Sequence, residues 1–404
     1  MSRRSSFGYS SYGSRSYRSG SYRSRRSRNN KAKAVIIVLS VILIACGGAF
    51  AVYRFLLRGK PSEIQKEPAA ALVSNTSAAA QPSNEPSSEK KESSAQSSAQ
   101  KPDIKGYHDG NVFMYDGQGY EMFYGTDSSA AYYASAVSEI KKQLGADIRV
   151  YNMVVPNHSA FGLPEKYLSD MNDERSNIQT IYTSYTEDVI PIDVFDAEEQ
   201  HKDEYTFFRT DNNWTALGAY YAYQEFGKAL KTKPFDLGSL SKGSITGFKG
   251  SLFVATQTEE NPNGNKELAA KPDTVIYYHM PNVERCILLE NGKSEEQEVP
   301  MIATFAEGSN AYSAFIWGNN PYMNIKTSHH TGKKLCIIKD SYGCAFAPFA
   351  AADFDEIYVV DPGYYDGSII DYLKQNRYTD VLVLNNIMTA NTEFRVKDIF
   401  SILG

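Results

Sequence analysis

Residues 34–53, AVIIVLSVILIACGGAFAVY, run between Lys33 and Arg54 without a single charge. At about 1.5 Å of rise per residue the run makes a helix of roughly 30 Å, the thickness of a bilayer's hydrocarbon core. It is expected to be a membrane anchor, and it separates two segments of unlike chemistry. Residues 1–60 hold 13 of the 42 Lys and Arg and no carboxylate, which leaves 29 cations against 47 Asp and Glu, or −18, for the remainder. Ten of those 13 precede the apolar run, so the positive-inside rule places the N-terminus in the cytoplasm and the main body outside. An acidic body argues against nucleic acid as a partner, because phosphate neutralisation needs a basic face.

The anchor is placed at residues 34–57. Before it, residues 1–33 form a basic Arg/Ser/Tyr tail with too few aliphatic residues to offset its own entropy, so a disordered cytoplasmic segment is expected. Its plain role is to set topology and touch anionic headgroups; Tyr and Ser beside Arg also suit phosphorylation. Residues 58–104, rich in Ser, Ala and Pro and free of aromatics, read as a flexible tether. Leu43-Ile44-Ala45-Cys46 fits the pattern before a lipid-modified Cys, but the apolar run continues past it to Leu57. The odd set Cys286, Cys336 and Cys344 outside the membrane argues against a disulfide framework, and no Cys or His spacing suggests a metal or other cofactor.

Residues 105–404 are long enough for one large α/β domain. NVFMYDG reads as a strand and turn. Thr126 or Asp127 can cap a helix with apolar residues from Ala130 to Leu144 at three- and four-residue spacing, ended by Gly145; IRVYNMVVP follows as a buried strand. That order predicts a crossover within a parallel sheet. KLCIIK, SYGCAFAPFAAAD, EIYVV, SIIDYLKQN, DVLVLNN and the final dozen residues continue as strand, helix, strand, helix, strand, helix. A flavodoxin-like sheet with helices on both faces is expected, and sites in such sheets gather at the carboxyl ends of the strands. Residues 235–330 read as a β-rich insertion, with TVIYYHM and YSAFIW among its β-prone runs.

Two segments carry candidate chemistry. Asp211-Asn212-Asn213-Trp214-Thr215 precedes the helical ALGAYYAYQEFGKAL, where capping alone explains Asp, Asn and Thr. In Ile337-Ile338-Lys339-Asp340-Ser341-Tyr342-Gly343, Ser341 stands between a buried strand and a helix, at the positive end of the helix dipole. It suits a nucleophile there, and equally an ordinary N-cap. Asp361-Pro362 and Asn385-Asn386 end neighbouring strands, where Asn amides suit an oxyanion or sugar hydroxyls as well as plain turns.

Taken together, TDNNWTALGAYYAYQEF, KDSYGCAFAPF with EIYVVDPGYY, and YNMVVPNHSAFGLPEKY resemble the DHHW family over most of residues 105–404. That family is similar to the periplasmic alginate O-acetylation proteins, which implies an SGNH-hydrolase-like fold and a Ser-His-Asp triad. On this resemblance Ser341 matches the nucleophile, Asp211 the triad Asp and Trp214 the motif Trp, while Asn213 stands where the general base belongs and Asn212 replaces the other His. An amide does not accept the Ser proton at useful pH. His158, after the IRVYNMVVP strand, is the one imidazole expected near the same edge, as substitute base or turn residue. Trp214, Tyr342 and Asn385 are the candidate substrate contacts.

The resemblance implies a membrane-anchored extracytoplasmic protein of O-acetylation or esterase chemistry on a cell-surface polysaccharide, with a Ser nucleophile, a degenerate triad and a membrane-bound O-acyltransferase as partner. The alternative is a catalytically inactive SGNH-like protein that binds glycan or scaffolds the machinery. The body's acidity suits a neutral or weakly charged polymer.

Overall fold

The computed structural model describes residues 104–404; the expected tail, anchor and tether lie outside the described residues. Thirteen strands run in chain order: β1 (Tyr107–Asp109), β2 (Val112–Tyr115), β3 (Gln118–Tyr120), β4 (Arg149–Val155), β5 (Val189–Pro191), β6 (Lys242–Phe248), β7 (Asp273–Tyr278), β8 (Val283–Leu289), β9 (Glu296–Glu298), β10 (Tyr322–Thr327), β11 (Lys334–Lys339), β12 (Glu356–Val360) and β13 (Asp380–Asn386). The longer helices are α1 (Asp127–Leu144), α2 (Glu174–Thr183), α3 (Ala216–Leu230), α4 (Tyr342–Ala350), α5 (Ile369–Gln375) and α6 (Glu393–Ser401).

The main sheet has the order β5-β4-β13-β11-β12-β10-β8-β9. From β5 to β12 all neighbours are parallel; β10, β8 and β9 then extend the sheet antiparallel. The central strands are continuous apolar runs because both of their faces are covered. Leu335 and Ile337 of β11 pack with α3 and α4 on one face, and Cys336 and Ile338 pack with α1, α2, α5 and α6 on the other. Each Val, Leu or Ile so buried contributes about 1.5–3 kcal/mol. Thr126 caps α1 in a reciprocal capping box with Ser129, and Gly145 ends the helix at φ 80°.

Two expectations need correction. The NVFMYDG strand is outside the parallel sheet: it is the middle of the antiparallel sheet β1-β2-β3. Its turn Asp116-Gly117 has both residues at positive φ, 49° and 73°, the hairpin geometry that an Asp-Gly pair favours. Within residues 235–330, read as a β-rich insertion, β6 and β7 pair apart while β8, β9 and β10 belong to the main sheet. YSAFIW is not a strand. It forms the end of a 3₁₀ turn, Gly308–Ala314, followed by Ile316, Trp317 and Gly318 at φ 46°, 66° and 80°. Three successive left-handed residues, one of them β-branched, mark a strained segment.

One buried group ties stability to pH. Glu198, in the short helix Phe195–Gln200, is fully buried and neither carboxyl oxygen has a hydrogen-bond partner among the described residues. Burial raises its pKa well above the ordinary value of 4.5, so the folded state holds a proton that the unfolded chain releases. Its contribution is complete below about pH 4.5 and declines as pH rises towards the folded value. Glu174, pushed up to about 8 by burial, acts in the same direction. Thermal melts from pH 5 to 8 are therefore expected to show Glu198→Gln gaining stability over wild type as pH rises.

Candidate active site

The parallel strands β4, β13, β11 and β12 end side by side, in the register Val155 to Asn386, Leu384 to Lys339 and Ile338 to Val360. Their carboxyl edge therefore brings together His158, Asn385, Ser341 and Asp361. A cleft of about 180 Å³ opens there, lined by Ser341, Asn212, Asn385, Lys339, Asp361 and Arg395 among others.

Ser341 occupies the N-cap position of α4, in αR conformation, but its side chain makes no capping bond. Asp340 serves that backbone instead: one carboxylate oxygen accepts from Tyr342 N at 3.0 Å and the other from Asn386 N at 2.7 Å. Burial raises the pKa of Asp340 despite these donors. The Ser341 hydroxyl is left without a partner among the described residues while its carbonyl accepts from Tyr312 Oη at 2.9 Å. Close helix-to-strand packing at this turn requires Gly343, since a Cβ there would lie 2.4 Å from Lys339 Cβ.

The 211–215 segment is bolted to the same turn. Trp214 Nε1 donates to Tyr342 O at 2.9 Å, and Tyr342 Oη donates to Asn212 O. Trp214 and Tyr342, expected as substrate contacts, are instead buried at 0 % and 1 % exposure; their rings pack at 5.4 Å and join the two motifs. The cap of α3 is Thr215, whose hydroxyl accepts from Leu217 N at 3.2 Å. Asp211 is thus not a cap. Its carboxylate accepts from Asn213 N at 2.9 Å, Asn213 Nδ2 at 2.6 Å and Ser251 N at 2.7 Å. Asn213 holds Asp211 as an imidazole N–H would, but its Oδ1 is buried with no partner among the described residues. Neither residue lines the cleft.

His158 is at the same sheet edge but is not joined to Ser341. Its ring stacks on Phe207 at 5.0 Å and 4° and packs on Tyr120 at 4.9 Å, with Nδ1 buried and without a partner among the described residues. Burial lowers its pKa to about 4, so the ring is neutral at physiological pH. Among the described residues no histidine hydrogen-bonds to the Ser341 hydroxyl.

Asp361 was expected at this strand edge, whereas Lys339, Asn319 and Glu121 were not singled out from the sequence. Lys339 and Asp361 form a buried ion pair at 3.1 Å beside Ser341, and Lys339 Nζ also donates to Asn319 Oδ1 at 2.8 Å. Burial opposes the charge on Lys339, but Asp361 holds its pKa above the ordinary lysine value. Asn319 reaches the cleft from the strained 316–318 segment. Glu121 accepts from Asn212 Nδ2 at 3.1 Å. The sequence signal for Lys339 is a lone cation closing an apolar strand; for Asn319 and Glu121 there is none.

A mostly parallel α/β sheet with a serine at the strand-to-helix turn, joined to an Asp-x-x-Trp segment, defines a class of protein. Residues 86–360 match the DHHW protein family, and the chain belongs to that family. A DHHW family protein from Eubacterium siraeum is 32 % identical, with a TM-score of 0.67 over 74 % of this chain and 99 % of its own. Bacillus cereus PatB1, whose structure carries a sulfonyl adduct, is 15 % identical over 74 % of this chain and 99 % of its own, with a TM-score of 0.57, a likeness of fold. The O-acetyltransferase domain of Pseudomonas putida AlgJ is 14 % identical over 74 % of this chain and 99 % of its own, with a TM-score of 0.38. No curated protein matches the chain.

Proposed function

We propose that this chain is a membrane-anchored, extracytoplasmic protein of polysaccharide O-acetyl chemistry, in which Ser341 is the acyl-accepting hydroxyl of a degenerate triad. The observation that carries the reading is the unpartnered Ser341 hydroxyl in a polar cleft, where the helix α4 dipole and the Asn385 amide favour a developing oxyanion. Membership of the DHHW family supports it, as does the fold shared with PatB1, whose structure carries a sulfonyl adduct.

In this reaction Ser341 Oγ forms a bond to the acetyl carbon of a donor ester, the donor's oxygen leaves, and the Ser proton ends on that oxygen. A sugar hydroxyl then attacks the Ser341 ester and its proton returns to Oγ. A membrane-bound O-acyltransferase is the proposed source of acetyl groups, and a neutral or weakly charged surface glycan the acceptor. With Asn213 in the base position the first transfer has no side chain to take the proton, so turnover is slow. That observation also supports a second reading, in which the cleft binds glycan without chemistry.

Hydrolysis of an activated acetyl ester by the purified protein separates the two. The acyl-transfer reading expects a slow rate that Ser341→Ala abolishes while glycan retention survives. Equal rates for wild type and Ser341→Ala, with glycan still retained, favour the binding reading.

A further inference from the structure

Asn385 lines the Ser341 cleft, and a buried chain of side chains decides which end of its amide faces that space. The chain starts at Val383, whose carbonyl oxygen only accepts. The Asn152 atom 2.8 Å from it is therefore Nδ2, so Oδ1 points the other way, where Tyr185 Oη donates to it at 2.6 Å. The second hydrogen on Asn152 Nδ2 goes to Tyr133 Oη at 2.9 Å. Tyr133 then has one hydrogen to give, and its partner Asn385 at 2.9 Å must receive it on Oδ1. Asn385 Nδ2 is left with no partner among the described residues.

We infer that Tyr185, Asn152 and Tyr133 are positioning residues that hold Asn385 Nδ2 towards the Ser341 cleft as a donor for an acyl or sulfonyl oxygen. Tyr133, Asn152 and Asn385 are at most 1 % exposed, and they join α1, β4 and β13. Water does not compete for these bonds there. Burial also raises the Tyr133 pKa well above its ordinary value, so the hydroxyl keeps the proton it donates. If the amide turned, a carbonyl oxygen would face the developing anion and repel it. The inference rests on the acyl-transfer reading for its purpose, but the orientation itself is testable without it.

Phenylmethanesulfonyl fluoride provides the probe: Ser341 Oγ forms the O–S bond, the S–F bond breaks, and fluoride and the Ser proton leave. Intact-mass measurement of Ser341 labelling is expected to slow about 10²-fold in Asn385→Ala and roughly tenfold in Tyr133→Phe, with a smaller loss in Tyr185→Phe. In the Asn385→Ala background Tyr133→Phe is expected to add nothing, because the two act as one unit. An unchanged rate in Tyr133→Phe, or an equal loss in both backgrounds, overturns the inference. If Ser341 is not labelled at all, the acyl-transfer reading fails and the side-chain ¹⁵NH₂ signals decide. A single Asn385 pair that broadens or splits in Tyr133→Phe upholds the orientation, and an unchanged pair overturns it.

Discussion

Asn213→His is expected to raise the rate of Ser341-dependent acetyl-ester hydrolysis by about 10²- to 10³-fold near pH 8, since loss of a triad member typically costs several orders of magnitude. The physical basis is that Asp211 is already oriented and that its segment is joined to the Ser341 turn. Asp211 already receives an N–H from residue 213 at 2.6 Å, the bond that would orient an imidazole through Nδ1. Trp214 and Tyr342 hold the segment against the Ser341 turn. An imidazole also replaces an amide whose Oδ1 is buried without a donor, so the exchange removes an unfavourable group. The check is the ester rate of Asn213→His against the Asn213→His, Ser341→Ala double variant; equal rates would mean that the site is not poised around residue 213.

Asp273→Ala is expected to cost about 3–5 kcal/mol of stability and to loosen the 211–215 segment. Asp273 is 2 % exposed at the start of β7, and it gathers the donors of the turn before the motif. It accepts from Thr210 N at 2.7 Å, Thr210 Oγ1 at 2.5 Å, Tyr205 Oη at 2.5 Å and Arg209 N at 3.1 Å, and pairs with Arg209 Nε at 3.4 Å. Removing the carboxylate strands several donors in or near the core, at about 1–3 kcal/mol for each that stays buried. Urea unfolding measures the loss; a change below about 1 kcal/mol would show that the turn is held by other contacts.

The legible parts of the fold were those with local causes. Buried parallel strands are continuous apolar runs, so β4, β11, β12 and β13 stood out, and Thr126 and Gly145 marked the ends of α1. Which sheet a strand joins is a long-range property. Nothing local in VERCILL or YMNIKT says that β8 and β10 extend the main sheet, although the Asp116-Gly117 pair did carry a readable hairpin signal. At the site, residues within one motif were visible as a set. The Lys339–Asp361 pair, the Asp273 hub and the Tyr133–Asn385 contact join residues 22, 63 and 252 positions apart, and only folding brings them together. The burial of Trp214 and Tyr342 was likewise invisible, because an aromatic side chain suits a core and a sugar face equally.

Ser341 is proposed to sit in an organised site that lacks a general base among the described residues. The deciding measurement is the pH dependence of Ser341 acylation by an activated acetyl ester, followed by intact mass from pH 5 to 9. The wild-type rate is expected to climb steadily with pH and to be unaltered by His158→Gln, while Asn213→His levels off above an imidazole pKa of about 6.5. A wild-type plateau with an inflection near neutrality that His158→Gln removes would contradict it and make His158 the base.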